Sequence, residues 1–221
     1  MIEKNFKYPI LYTFRRCPYA IRARFAIRSA KIIVEVREIK LQEKPSEFLK
    51  SSPKGTVPVL ITNSGEILEE SLDIINWALS INDPLKWLAK GKLKDQEIAK
   101  LLHDLETKFK TNLDKYKYPN RFSGVNQYLH RDKNLCFLKK LNFYLKNNKS
   151  LNCKHLTFLD YAIFPFIRQF RNVDKVWFDK LNFVFLNEWI HQIIDSEDFS
   201  SIMKKFKKWE QNDNPIYTCF E

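Results

Sequence analysis

Cys17 lies in the run Tyr12-Thr-Phe-Arg-Arg-Cys-Pro-Tyr-Ala20, where an apolar strand pattern gives way to a helical one. Pro18 is preset for a first helical position, which places Cys17 at the N-cap, beside unpaired backbone N–H groups and the positive end of the helix dipole. Arg15 and Arg16 add positive charge. Each influence favours thiolate over thiol and predicts a Cys17 pKa below the free value of about 8.5. The expected chemistry is nucleophilic attack by sulfur. Ala20 occupies the position at which a dithiol oxidoreductase carries its second cysteine, so Cys17 has no neighbour able to resolve a mixed disulfide.

Other reactive residue types are dispersed. Cys136 sits among Leu135, Phe137 and Leu138, Cys153 near a helix start and Cys219 near the end of the sequence. All three are expected to be inert, buried, small apolar residues. His103, His130, His155 and His191 join no metal-ligand spacing. With only four glycines, a glycine-rich phosphate loop has no support.

The 221 residues suffice for one large domain or two small ones, and a 44% hydrophobic, 14% aromatic composition supplies real cores. Lys and Arg outnumber Asp and Glu by 12, which raises the question of nucleic acid. The lysines are spread along the chain, however, and a solvated basic surface that steers small anions is the expectation; neither nucleic acid nor membrane is an expected partner. Met1 to Tyr8 contains Glu3, Lys4 and Lys7 and lacks the apolar run of a signal peptide. No segment has the length and apolarity of a membrane span. Four cysteines without paired spacing suit a reducing, cytoplasmic setting.

The elements that must position Cys17 follow from periodicity. Ile10 to Phe14 reads as a strand, Ile21 to Ala30 as a helix, Ile32 to Leu41 as a second strand and Ser46 to Lys50 as a short helix. Thr56 to Ile61 and Glu66 to Leu68 form a hairpin about Asn63-Ser64-Gly65, and Ser71 opens a helix through Leu79. This β-α-β-α-β-β-α order matches a thioredoxin-like domain over residues 1–82. Asn82-Asp-Pro84 ends the last helix, and 83–92 reads as a linker. Residues 93–221 show only helical periodicity, with helices expected at Leu93–Tyr116, Leu135–Asn147, Phe158–Phe170, Leu181–Ile194 and Phe199–Trp209. Thr157-x-x-Asp160 has the form of a structural capping box. The expected fold is thus an α/β thioredoxin-like domain followed by an all-α domain.

Arg16-Cys-Pro-Tyr-Ala20, Thr56-Val-Pro-Val-Leu60, Glu70-Ser71 and the helical second half together resemble a cytosolic glutathione S-transferase of the cysteine type. That branch includes omega-class enzymes, dehydroascorbate reductases and bacterial relatives with a Cys-Pro-Tyr-Ala turn. The resemblance spans the chain and implies that glutathione is a cosubstrate. It implies a cis bond between Val57 and Pro58, with the Val57 backbone pairing the cysteinyl unit as an added strand would. Ser71, with the N-terminal amides of its helix, would take the γ-glutamyl carboxylate, Glu70 the ammonium, and Lys44 the glycyl carboxylate. Tyr19 would either line the site or stand as a shielding aromatic on the first helix turn; Tyr12, inside the strand, is expected to pack.

What the resemblance implies for activity is a thiol transferase or reductase, of deglutathionylation or dehydroascorbate-reductase type, acting through a Cys17–glutathione mixed disulfide. Two alternatives stay open: conjugation of glutathione to a small electrophile, and a non-catalytic interaction or regulatory protein with this fold. The resemblance also implies a homodimer.

Overall fold

The computed structural model describes residues 6–221; Met1 to Asn5, part of the start read above for a leader, lie outside the described residues. The chain divides into two compact units. One runs to Trp87 and also takes in Asp195–Glu221, and the other is Leu88–Ile194.

The first unit is built on a five-stranded sheet of β1 (Ile10–Thr13), β2 (Val34–Glu38), β3 (Val59–Ile61), β4 (Ile67–Leu68) and β5 (Ile216–Thr218), in the order β4-β3-β1-β2-β5. β1 and β2 are parallel, joined by the crossover helix α1 (Pro18–Ser29); β3, β4 and β5 each pair antiparallel to their neighbours. Between β2 and β3 lies α2 (Ser46–Ser51), and after β4 comes α3 (Ser71–Ile81), which packs on α1. All four residues of β1 are buried, as a strand covered on both faces requires. Ile10 and Tyr12 share one face with Val59, Ile61, Phe48 of α2 and Trp209, and the half-buried Cys17 packs against this cluster. Fully burying a large apolar side chain of this kind stabilises by roughly 1.5–3 kcal/mol, so the cluster is a substantial anchor for the thiol.

The second unit contains helices α4 (Asp95–Asp104), α5 (Lys110–Lys117), α6 (Gln127–Lys133), α7 (Leu135–Leu145), α8 (Phe158–Arg171), α9 (Lys175–Asp179) and α10 (Val184–Ile194). A π-helical stretch, Leu105–Phe109, joins α4 to α5, so the expected helix Leu93–Tyr116 is a continuous run with one widened turn. α8 is buried along most of its length and starts at the expected capping box: Thr157 N and Oγ1 donate to Asp160 Oδ2 at 2.8 and 3.1 Å. Asp160 Oδ1 accepts from Leu151 N and from Trp189 Nε1, each at 2.9 Å. One carboxylate thereby ties a loop, a helix start and α10 together. Burial pushes its acid up, opposed by those hydrogen bonds.

The C-terminal segment differs from its sequence reading. Residues 93–221 were expected to form one helical domain, yet Asp195–Glu221 packs within the first unit. The helix expected at Phe199–Trp209 is the short α11 (Glu197–Ile202), after which the chain runs across the sheet edge. Trp209 N donates to Glu38 O at 2.9 Å, and β5 then pairs with β2. The periodicity of Lys204-Lys-Phe-Lys-Lys-Trp209 was real, but the open edge of β2 and the slot beside Tyr12 take Trp209 out of a helix. Among the described residues no helix is long and apolar enough to cross a membrane.

Candidate functional site

Cys17 caps α1 at φ −73°, ψ 124°, with Pro18 at the first helical position. Phe14 to Cys17 form a turn closed by Cys17 N donating to Phe14 O at 3.0 Å, and Ile21 N donates to Cys17 O at 2.9 Å. The thiol therefore stands at a helix start, as its sequence context predicts. Its Sγ lies 3.4 Å from the Val57 carbonyl oxygen, and the Val57–Pro58 bond is cis. Chain topology thus brings the thiol motif to the Val-Pro turn.

Glu70 is the N-cap of α3 and Ser71 its first residue. Ser71 is buried and its Oγ accepts from Arg22 Nη1 at 3.3 Å. Glu70 is exposed and accepts from Lys54 Nζ at 2.9 Å, a contact that holds the lysine's pKa above its ordinary value. Lys44 is exposed and reaches over the turn that closes at Gly55: a Cβ added to Gly55 would stand 3.0 Å from Lys44 Nζ. Tyr19 is half-buried, with the Arg22 guanidinium 5.5 Å from its ring centre. Tyr12 packs, as expected: it is buried, and its hydroxyl accepts from Arg37 Nη1 at 2.7 Å. Burial raises its phenol pKa, with Arg37 opposing.

Three charged residues near the thiol were not singled out from the sequence. Arg22 and Arg24 are both buried on α1, and Glu38 ends β2 with its carboxyl pushed up by burial. The signal was the pair of arginines inside the apolar run Ile21 to Ile27, which a solvent-facing stripe cannot explain. Arg24 donates from Nη1 to Thr13 Oγ1 at 2.6 Å and Phe14 O at 3.4 Å, and from Nη2 to Arg15 O at 2.7 Å. An unsatisfied buried guanidinium would cost several kcal/mol, so these acceptors are what permit it there.

The remaining cysteines are in different settings. Cys136 is exposed on α7, contrary to the expected burial, because Leu138 and Leu141 carry the buried face of that helix. Cys153 is half-buried, and burial together with the Asp160 charge pushes its thiol up. Among the described residues no cluster of His, Cys, Asp and Glu forms a metal site.

Residues 11–86 match the family model for the glutathione S-transferase N-terminal domain. Glutathione S-transferase omega-1 of Sus scrofa is 27% identical over 185 residues, covering 81% of this chain and 70% of that one. Residues 11–86 therefore belong to the glutathione S-transferase N-terminal domain family. The chain is also similar to the probable glutathione S-transferase DHAR1, cytosolic, of Oryza sativa subsp. japonica, at 33% identity over 33% of each chain. A glutathione transferase family member from Pseudomonas fluorescens, solved with two glutathione bound, superimposes with a TM-score of 0.75 at 16% identity, over 89% of this chain and 92% of that one. At that identity the likeness speaks for the glutathione S-transferase fold.

Proposed function

We propose that this protein is a glutathione-dependent thiol transferase in which Cys17 carries the glutathionyl group. The observation that supports this most is the placing of a helix-capping thiol 3.4 Å from the Val57 carbonyl, next to a cis proline, with alanine at position 20. In the first step the Cys17 thiolate attacks the glutathione sulfur of a mixed disulfide. A Cys17–glutathione bond forms, the old disulfide breaks, and the substrate leaves as a thiolate that takes a proton from water. Ala20 cannot resolve this adduct. A second glutathione thiolate attacks its sulfur, releasing glutathione disulfide and restoring the Cys17 thiolate.

Val57 would pair the cysteinyl backbone. Ser71 and the first amides of α3 would receive the γ-glutamyl carboxylate, Glu70 the ammonium and Lys44 the glycyl carboxylate. Ser71 is preset for its role by Arg22, whose guanidinium also brings positive charge toward an incoming carboxylate. Glu70 would share its carboxylate between the ammonium and Lys54.

The test is Cys17→Ser, assayed for reduction of a cysteine–glutathione mixed disulfide and for conjugation of an aryl halide, with intact mass after exposure to glutathione disulfide. The expected result is loss of reduction, loss of the adduct and retained conjugation. Full reduction by the variant would overturn the proposal. A wild-type chain that neither binds glutathione nor forms the adduct would favour an interaction protein instead.

A further inference from the structure

The Phe14–Cys17 turn that presents the thiol has one backbone hydrogen bond of its own, Cys17 N to Phe14 O. Its second residue, Arg15, is gripped on both sides of its backbone. The amide donates to Glu38 Oε1 at 2.7 Å, and the carbonyl accepts from Arg24 Nη2 at 2.7 Å. Arg24 Nη1 continues the grip to Thr13 Oγ1 and Phe14 O. Seven residues past Cys17, Arg24 stands about two turns along α1, and helical side chains lean toward the N-terminus, so its long side chain can reach back to the turn.

Glu38 is itself fixed. β1 and β2 pair it with Thr13, Ile39 N donates to Thr13 O at 2.7 Å, and Trp209 N donates to the Glu38 carbonyl at 2.9 Å. Its Oε2 is buried and has no hydrogen-bond partner among the described residues. A half-buried carboxylate that spends one oxygen on a single main-chain amide is placed at a desolvation cost, and the amide it holds is two residues from the thiol.

We infer that Glu38 and Arg24 are positioning residues for Cys17: they clamp the Arg15 peptide so that the turn delivers the sulfur to the N-cap of α1. The inference deepens the reading of Cys17 as the reactive thiol and rests on it. The clamp acts through main-chain geometry. A residue at position 38 therefore needs to be an acceptor more than an anion, and one at position 24 needs two donors in a fixed fork, which lysine lacks.

The test is Cys17 alkylation by iodoacetamide across pH 5 to 9 in the full chain, read at peptide level by mass spectrometry so that Cys136, Cys153 and Cys219 are counted separately. Glu38→Ala and Arg24→Met are expected to raise the midpoint of the Cys17 profile by about one pH unit and slow alkylation about tenfold at pH 7. Glu38→Gln, which keeps an acceptor at the Arg15 amide, should hold the wild-type midpoint or lower it; Arg24→Lys should behave as Arg24→Met. Cooperative melting is required of each variant. Should the core substitutions fail it, Arg15→Pro deletes only the clamped amide at a turn position proline favours, and is judged against Arg15→Ala, which keeps that amide.

A wild-type profile in Glu38→Ala or Arg15→Pro overturns the clamp, as does an upward shift in Glu38→Gln equal to that in Glu38→Ala. No glutathione enters this assay. Loss of the clamp therefore leaves mixed-disulfide reduction by the wild-type chain standing, and absence of that reduction leaves the clamp standing.

Discussion

The Cys17 sulfur lies 3.4 Å from the carbonyl oxygen of Val57, forty residues further along the chain. In its protonated form the thiol donates there. Once ionised it has no proton to give, the carbonyl repels it, and the N–H groups at the start of α1 become the better neighbours. The same carbonyl is the group that would meet the glutathione backbone. Ionisation of the sulfur and opening of the strand edge to a ligand are therefore compatible events at one oxygen.

Gly55 holds φ +60°, and an added Cβ would press on Lys44 Nζ and on the Leu49 side chain. Gly55→Ala is expected to cost about 1 kcal/mol or more of stability, since alanine is strained at positive φ. If Lys44 meets the glycyl carboxylate, the Michaelis constant for glutathione should rise several-fold with it. Urea unfolding and steady-state kinetics on one preparation check both; an unchanged constant removes Lys44 from the site.

Arg22→Met leaves the buried Ser71 hydroxyl without its guanidinium donor. A lost hydrogen bond to a charged donor costs about 1.5–3 kcal/mol, part of it in stability and part in glutathione binding. Calorimetric titration with glutathione should show about a tenfold weaker complex in a variant that still melts cooperatively. Arg22→Lys should recover little, because one ammonium cannot reproduce the fork.

Asp160→Ala strands four buried donors at once, Leu151 N, Thr157 N, Thr157 Oγ1 and Trp189 Nε1. The expected loss is about 3–5 kcal/mol in chemical denaturation, a large share of a typical domain's margin. Trp189 fluorescence is the natural probe, since the indole loses its acceptor directly. A loss below about 1 kcal/mol would show that the loop re-pairs elsewhere.

His130 has its pKa lowered from 6.5, first by burial and then by Lys115 and Lys133, while its Nδ1 contacts Asn112 Oδ1 at 2.7 Å. The unfolded chain thus binds the proton more readily. The contribution of this group to stability is complete above pH 6.5 and is lost as pH falls through the depressed folded value. An NMR titration should place its midpoint below 6.5, and Lys115→Ala should move it upward.

Much of the first unit was legible because its signals are local: a buried strand, a helix announced by Pro18, a hairpin at Asn63-Ser64-Gly65 and a helix opening at Ser71. The helical run from α4 to α5, α7, α8 and α10 was legible from periodicity, whereas α6 and α9 span too few residues to show it. β5 went unread because Ile216-Tyr-Thr218 is short and half-exposed, and only the open edge of β2 makes it a strand. Cys17 could be picked out by type and neighbours. Arg22 and Arg24 left only the signal of two arginines inside an apolar run and Glu38 left none, because their partners, the Ser71 hydroxyl and the two sides of the Arg15 backbone, meet them only in the fold.

β5 carries a consequence for how the protein is made. Among the described residues, the outer edge of β2 is paired by residues that leave the ribosome after the whole helical unit has been synthesised. During translation the nascent thioredoxin-like unit exposes that edge, an open template for strand pairing with another chain, until Ile216 to Thr218 emerge. The helical unit, whose contacts are mostly local, can fold during that interval.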